Sequence, residues 1–174
     1  MSYINDEGHF PLRGRQCSSE QIGEISEDFE NYDQFAKASL QDVYGDKLNS
    51  SLHYSIKDFR TGFIQKGESG KYAFTPLPSE AQIFPTYGII IHDFDDDGHL
   101  DLLLGGNQFH AEVETGRADA GNGILLKGDN GLNFHAIPAH KSGFYAPGDV
   151  RHLNMIENKI IVANNDAAIQ TFEF

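Results

Sequence analysis

The sequence predicts a mostly β fold, partly propeller-like, with an N-terminal helical segment. Three observations indicate this: one helical pattern before Tyr54, short β-type runs broken by Gly, Asn, Asp and Pro after it, and an internal repeat. The length of 174 residues suits one domain with a sizeable core. We therefore expect an N-terminal extension over residues 1–54 and about two β-blades over residues 55–174.

The helical pattern covers about residues 32–44, within the stretch "NYDQFAKASLQDVYG". Apolar side chains recur there at the spacing of one helix face. Asn31 can cap the first turn, with Gln34 in the capping-box position, and Gly45 stands where a left-handed C-terminal cap belongs. Asp46 can cap a second short helix. Such helices are expected to pack one apolar face on the body of the protein.

An internal repeat organises the β part of the chain. "FIQKGESGKYAFTPLP" at 63–78 resembles "ILLKGDNGLNFHAIP" at 124–138, and each copy has the pattern of a strand, a Gly-rich hairpin turn and a strand. The copies start at residues 63 and 124, so the period is close to 60 residues. That period fits a four-stranded propeller blade with a long loop. The expected strands are Gly88–His92, Leu102–Gly106, Ile124–Lys127, Asn133–Ile137, Gly148–Ile156, Lys159–Ala163 and Ile169–Phe174.

The stretch "HDFDDDGHLDLLLGGN" at residues 92–107 contains an acidic loop between the expected strands Gly88–His92 and Leu102–Gly106. Its spacing, D-x-D-x-D-G-x-x-D, brings alternate side chains together when the loop curls around a point. Calcium takes six to eight hard oxygen ligands with flexible geometry. Crowded carboxylates also repel one another, and a divalent cation relieves that repulsion. The expected calcium ligands are the carboxylates of Asp93, Asp95, Asp97 and Asp101 and the backbone carbonyl of His99.

The acidic loop is not an EF-hand, because position 12 holds Leu104 instead of a bidentate Glu and both flanks have strand character. Two alternatives remain open at this point: an acidic turn without an ion, and a magnesium or manganese site. When four carboxylates occupy the coordination sphere of an ion, few positions are left for a substrate. We therefore expect the calcium to be structural.

The acidic loop and its trailing strand, "DFDDDGHLDLLLGGN", resemble the FG-GAP/VCBS repeat of integrin-like β-propellers. The ordered pieces "FPLRGR", "YDQFAKASLQDVYG", "FTPLPSEAQIFPTYGI", "VETGRADA", "SGFYAPGDV" and "VANNDAAIQTFEF" resemble the C-terminal region of bacterial VCBS/FG-GAP proteins related to cartilage acidic protein. The resemblance implies a non-catalytic, calcium-binding module of a larger exported protein, extracellular, periplasmic or on the cell surface. Its partners would be further blades, a second copy, or a protein or carbohydrate ligand.

A second candidate site is the polar loop at residues 107–123. Its charged and imidazole side chains could form an acid/base pair beside an anion-binding arginine, which would make the protein an enzyme acting on glycans or other polymers. The same side chains could instead brace two blades, or present a ligand or partner surface. The residues concerned are His110, Glu112, Glu114, Arg117 and Asp119.

Composition excludes several classes of partner. The formal net charge of −13 disfavours binding to nucleic acid, which needs a basic surface, and to anionic membranes. Apolar runs are too short to insert into a bilayer. The single cysteine, Cys17, cannot form an internal disulfide, and the first residues lack the pattern of a signal peptide.

Overall fold

The computed structural model of the chain describes residues 2–112 and 115–174. The chain forms two compact units, one ending at Lys57 and the other spanning Asp58–Phe174. Strands outnumber helices, as the sequence predicts, and the β-strands form several small antiparallel sheets. Among the described helices, none combines the length and the apolar character needed to cross a membrane.

The first unit contains a β-hairpin and four short helices. Ile25 and Phe35 are its most buried large side chains, at 2% and 6% exposure, and the rings of Phe29 and Phe35 meet edge to face. The elements are β1 (Ser2–Asn5), β2 (Gly8–Pro11), α1 (Arg15–Gln21), α2 (Glu24–Asp28), α3 (Tyr32–Lys37), α4 (Leu40–Tyr44) and a 3₁₀ helix at Gly45–Ser50.

The expected single helix at about 32–44 is two helices, so that prediction was wrong in its continuity. Asn31 and Gln34 do form the expected capping box at the start of α3. A second capping box follows, in which Ser39 and Asp42 exchange side-chain and backbone hydrogen bonds. The Ser39 side chain binds the backbone of a new first turn, which ends α3 and starts α4.

The second unit contains three antiparallel sheets. Their strand orders are β3–β4, β5–β6–β7–β8 and β11–β10–β9. The strands predicted for the repeat units are all present, with ends shifted by one or two residues. The elements are β3 (Gly62–Lys66), β4 (Tyr72–Pro76), a 3₁₀ helix at Ser79–Gln82, β5 (Thr86–His92), β6 (Asp101–Gly106), β7 (Ile124–Gly128), β8 (Phe134–Ile137), α5 (Ala139–Ser142), β9 (Val150–Ile156), β10 (Lys159–Asn164) and β11 (Gln170–Glu173).

The sequence repeat folds as two matching hairpins, β3–β4 and β7–β8. The first turn closes with the Gly67 N–H donating to the Lys71 carbonyl, and the second with the Asp129 N–H donating to the Asn133 carbonyl. Each copy therefore folds as a hairpin, as the repeat predicts, although the second turn closes one residue later relative to the aligned Lys-Gly pair.

The four-stranded sheet is the centre of the second unit and has apolar side chains on both faces. One face, through Ile90, Leu103 and Leu125, packs against the three-stranded sheet. Its first strand lies so close to β9 that a Cβ on Gly88 would fall 2.5 Å from Cγ of Leu153. Glycine is therefore required where the two sheets meet.

The opposite face of the central sheet is covered only in part. Leu102, Leu104 and Leu126 are buried there by the segment that contains Leu77, Ala81 and Phe84. On β5, however, Ile89 and Ile91 pair across to Leu104 and Leu102 and are 56% and 61% exposed. These two isoleucines form an uncovered apolar strip at the edge of the sheet.

Candidate metal centre

The acidic loop joins β5 to β6 and is organised by its own first carboxylate. Asp93 accepts two backbone hydrogen bonds, from the Asp97 N–H at 3.1 Å and from the Gly98 N–H at 2.8 Å. Gly98 has a φ of +87°, a conformation that glycine adopts without strain. The loop therefore curls around Asp93 because of hydrogen bonds that its own sequence supplies.

Asp101 is the last carboxylate of the loop and the first residue of β6. It is 1% exposed, and both of its oxygens accept backbone hydrogen bonds. The Phe94 N–H donates to Oδ2 at 2.9 Å, and the Gly128 N–H donates to Oδ1 at 2.8 Å. These two donors offset the cost of burying the carboxylate, and they tie the loop to the end of β7.

Three carboxylates converge in this loop. Oxygen atoms of Asp93, Asp95 and Asp101 all lie within 4.8 Å of one another, and their exposure runs from buried at Asp101 to exposed at Asp95. Hard oxygen donors at this spacing, open to solvent on one side, fit a divalent cation such as calcium that completes its shell with water. The donor set could therefore hold a divalent metal ion, and calcium as that ion stays a prediction.

The third aspartate of the pattern, Asp97, does not join that group. Its Oδ2 lies 2.9 Å from Nζ of Lys127, and its Oδ1 accepts the His99 N–H at 2.9 Å. The Lys127 ammonium, followed by that backbone donor, lowers the pKa of Asp97 below its usual value. Lys127 also binds Oδ2 of Asp95, and the two carboxylates raise the pKa of the lysine.

Of the five ligands expected from the spacing, the structure thus gathers Asp93, Asp95 and Asp101. Asp97 is turned toward a lysine. His99 contributes its backbone N–H to the loop, and the expected binding of its carbonyl to an ion stays a prediction. Sequence reasoning missed the contact of Lys127 with this loop, although its alignment with Lys66 in the repeat is visible in the sequence.

The polar loop at residues 107–123 is paired largely within the fold. Arg117 binds Asp119 at 2.7 Å and lies over the ring of Phe109. His110 Nδ1 lies 3.1 Å from the amide of Asn165 and 3.6 Å from the carboxylate of Asp149. Glu112 also has a partner within the chain, and Glu114 falls outside the described residues.

Asn107, which the sequence did not single out, anchors this loop. It is fully buried with a φ of +107°. Its amide nitrogen donates to the carbonyls of Gly121, Pro147 and Gly148 at 2.8, 3.1 and 3.0 Å, and its oxygen accepts the Gly121 N–H at 2.9 Å. One side chain therefore holds the two ends of the loop together and joins them to the segment before β9.

Asp149 is the second buried anchor that the sequence did not indicate. Arg151 Nη2 lies 2.9 Å from each carboxylate oxygen, and the Asn165 amide donates at 3.2 Å. Burial raises the pKa of Asp149, but the hydrogen bond from Asn165 and the charge of Arg151 outweigh it, so the net pKa is lowered. The carboxylate is therefore held ionised beneath the polar loop.

Comparisons of the chain with protein-family models, curated proteins and solved structures find no match. The description of the candidate metal centre therefore depends on the geometry of this chain alone.

We predict that Asn107→Gly lowers the free energy of unfolding by about 3 kcal/mol, because buried carbonyls lose their donor. Glycine tolerates the positive φ, so backbone strain does not contribute. Urea unfolding monitored by circular dichroism measures the effect. The matched control is Asn130→Gly in an exposed turn, which carries the same entropy change in the unfolded chain. Equal stability of the two variants would contradict the anchoring role.

We also predict a pH dependence that originates at Asp149. Because its pKa is lower in the folded state, it stabilises the fold above the ordinary carboxyl pKa of about 3.9, and this contribution is lost as the pH falls below that value. The difference in unfolding free energy between the parent chain and Asp149→Asn should therefore be largest near neutral pH and shrink toward pH 3. Urea titrations across this range test it, with Asp119→Asn as the exposed control. A constant difference would refute the assignment.

Proposed function

We propose that this chain is a non-catalytic, calcium-binding module of the FG-GAP/VCBS propeller type, used for binding or as a scaffold in a larger exported protein. The observation that carries the proposal is the convergence of Asp93, Asp95 and Asp101 in a loop between two adjacent strands. An ion at this point would connect the end of β5, the start of β6 and, through Asp101, the end of β7.

A structural role for the ion is supported by the backbone hydrogen bonds that hold two of the carboxylates in place. Asp101 is fixed by two backbone donors, and Asp93 by two more. Ligands held this firmly need little reordering when an ion binds, which favours stiffening of the loop over chemistry. The formal net charge of −13 adds a general attraction for divalent cations.

The propeller assignment is supported by the way the sheets stack. A four-stranded antiparallel sheet has another sheet against one face, and the first strands of these two sheets, β5 and β9, pack directly on each other. Radial repetition of four-stranded sheets is the plan of a β-propeller. The β3–β4 hairpin would then be the outer half of a preceding blade, as its match to β7–β8 indicates.

An exported parent protein is supported by the expected affinity. A site with three carboxylates, open to solvent, should bind calcium with a dissociation constant on the order of 10⁻⁴ to 10⁻³ M, as extracellular calcium modules do. Such a site would be filled outside the cell and largely empty in the cytosol. Localisation outside the cytoplasm therefore follows from the proposed ion and from the family resemblance.

The alternative, an enzyme acting on glycans or other polymers through residues 107–123, has less support. Arg117 and Asp119 neutralise each other, and His110 is directed toward Asp149 and Asn165. These pairings favour the interpretation that the loop braces two sheets, and they disfavour an acid/base pair that faces a substrate.

We predict that calorimetric titration of the full chain with calcium gives one site. Asp93→Asn combined with Asp95→Asn should abolish the heat, because two of the three converging carboxylates lose their charge. At a hundred times the dissociation constant, calcium should raise the unfolding free energy of the parent chain by about 2.7 kcal/mol. Asp166→Asn, in an exposed turn, is the control and should bind as the parent does. A parent chain without heat, or an unaffected double variant, would overturn the calcium proposal.

We further propose that the strip formed by Ile89 and Ile91 is covered by another sheet, either further blades of a parent protein or a second copy of the chain. Both isoleucines are more than half exposed. A separate feature also invites another sheet: among the described strands β3 pairs only with β4, so this two-stranded sheet has an unpaired edge. A second copy predicts concentration-dependent association in sedimentation velocity. Ile91→Lys should abolish it, whereas Ile169→Lys, on an exposed residue outside the strip, should not. A parent chain that is monomeric throughout would exclude the second copy.

A further inference from the structure

One residue beside the proposed calcium site has no role in the function given above. Lys127 extends from β7 and places its ammonium on Oδ2 of Asp95 and, at 2.9 Å, on Oδ2 of Asp97. Its side chain is 40% exposed. The ammonium therefore contacts the second and third aspartates of the D-x-D-x-D spacing.

The position of Lys127 is fixed by the sheet. It pairs with His135 across the β7–β8 hairpin. The next residue, Gly128, donates its N–H to the buried carboxylate of Asp101. The lysine therefore reaches the acidic loop from a strand that is hydrogen-bonded to that loop. This restricts the position of its ammonium group.

The repeat supplies a natural comparison. Lys66 aligns with Lys127 in the repeat, before Gly67 as Lys127 is before Gly128. It lies opposite Tyr72 at the last pair of its ladder, whereas Lys127 lies opposite His135, one pair further from the turn. Lys66 is exposed, and no ion pair joins it to another residue of the described chain. The lysine thus belongs to the hairpin repeat, whereas its contact with carboxylates arises only where the acidic loop is adjacent.

We propose that Lys127 is a tethered cation that competes with the divalent ion and sets the affinity of the calcium site. The inference rests on the proposed function. With the ammonium in place, Asp97 is withheld from the donor set and Asp95 is shared between the two cations. When calcium binds, it must either displace the ammonium or accept three carboxylates beside a positive charge. Both choices weaken binding, since calcium affinity depends on the number of charged ligands.

The central test is calcium titration of the full chain carrying Lys127→Met, which keeps the apolar stem and removes the charge. We expect calcium to bind about tenfold more tightly than to the parent, because Asp97 can then join the other three carboxylates. Lys66→Met is the control, with the same change of net charge at the aligned residue of the other hairpin, and it should bind as the parent does. Should Lys127→Met fold poorly, Lys127→Gln replaces it.

A second titration separates release of Asp97 from a general electrostatic effect. Asp97→Asn should change the dissociation constant less than about threefold in the parent chain, where the lysine already withholds this carboxylate. In the Lys127→Met background the same change should remove most of the gain. A gain that survives Asp97→Asn undiminished would overturn the withholding of Asp97 as the cause of weak binding, and would support competition between the two cations at Asp95.

The outcomes distinguish this inference from the proposed function. Calcium binding by the parent with no tightening in Lys127→Met would overturn the inference and leave the proposed function intact. Binding by Lys127→Met but not by the parent would support the inference and overturn the proposed function of the natural chain, because the lysine would then replace the ion. Failure of both proteins to bind would overturn both.

Discussion

The second unit depends on one buried charge, the carboxylate of Asp101. A carboxyl group at 1% exposure is tolerable because the backbone N–H groups of Phe94 and Gly128 donate hydrogen bonds to both of its oxygens. The same two bonds fix where the acidic loop begins to turn and where β7 ends. The loop therefore has a defined shape before any ion binds, and Asp93 and Asp95 are held beside Asp101 by the fold itself.

The other end of the same strand is fixed by a neutral counterpart. Asn107 follows β6 directly and gathers the carbonyls of Gly121, Pro147 and Gly148 on one amide group. Each end of β6 thus carries a buried polar side chain that collects backbone groups from distant segments. At the end held by Asn107, the amide group is fully engaged in hydrogen bonds to the backbone. At the end held by Asp101, the neighbouring carboxylates of Asp93 and Asp95 are half-buried and exposed, respectively. This asymmetry is why the proposed binding chemistry is assigned to the acidic loop.

The repeat explains how a structural residue can acquire a second role. Lys66 and Lys127 arise from the same hairpin pattern, but of the two only Lys127 forms ion pairs with aspartates in the part of the chain that the structure describes. In an isolated acidic loop, the crowded carboxylates would need an external cation to relieve their repulsion. Here part of that relief is built in, and the proposed ion must compete with it. The net charge of the chain favours divalent cations in general, whereas the lysine would decide how tightly this loop holds one.

The strands, the two hairpins, the capping box at Asn31 and the position of the acidic loop could all be predicted from the sequence. These depend on apolar periodicity and on hydrogen bonds between residues a few positions apart, which spacing makes visible. The break at Ser39 has the same local origin, although helical periodicity concealed it. The folded structure was needed to show that Asp97 turns to Lys127, 30 positions further along the chain, and that Asn107 and Asp149 are buried anchors. Their partners come from other strands, and sheet packing, not spacing along the chain, determines which polar groups meet.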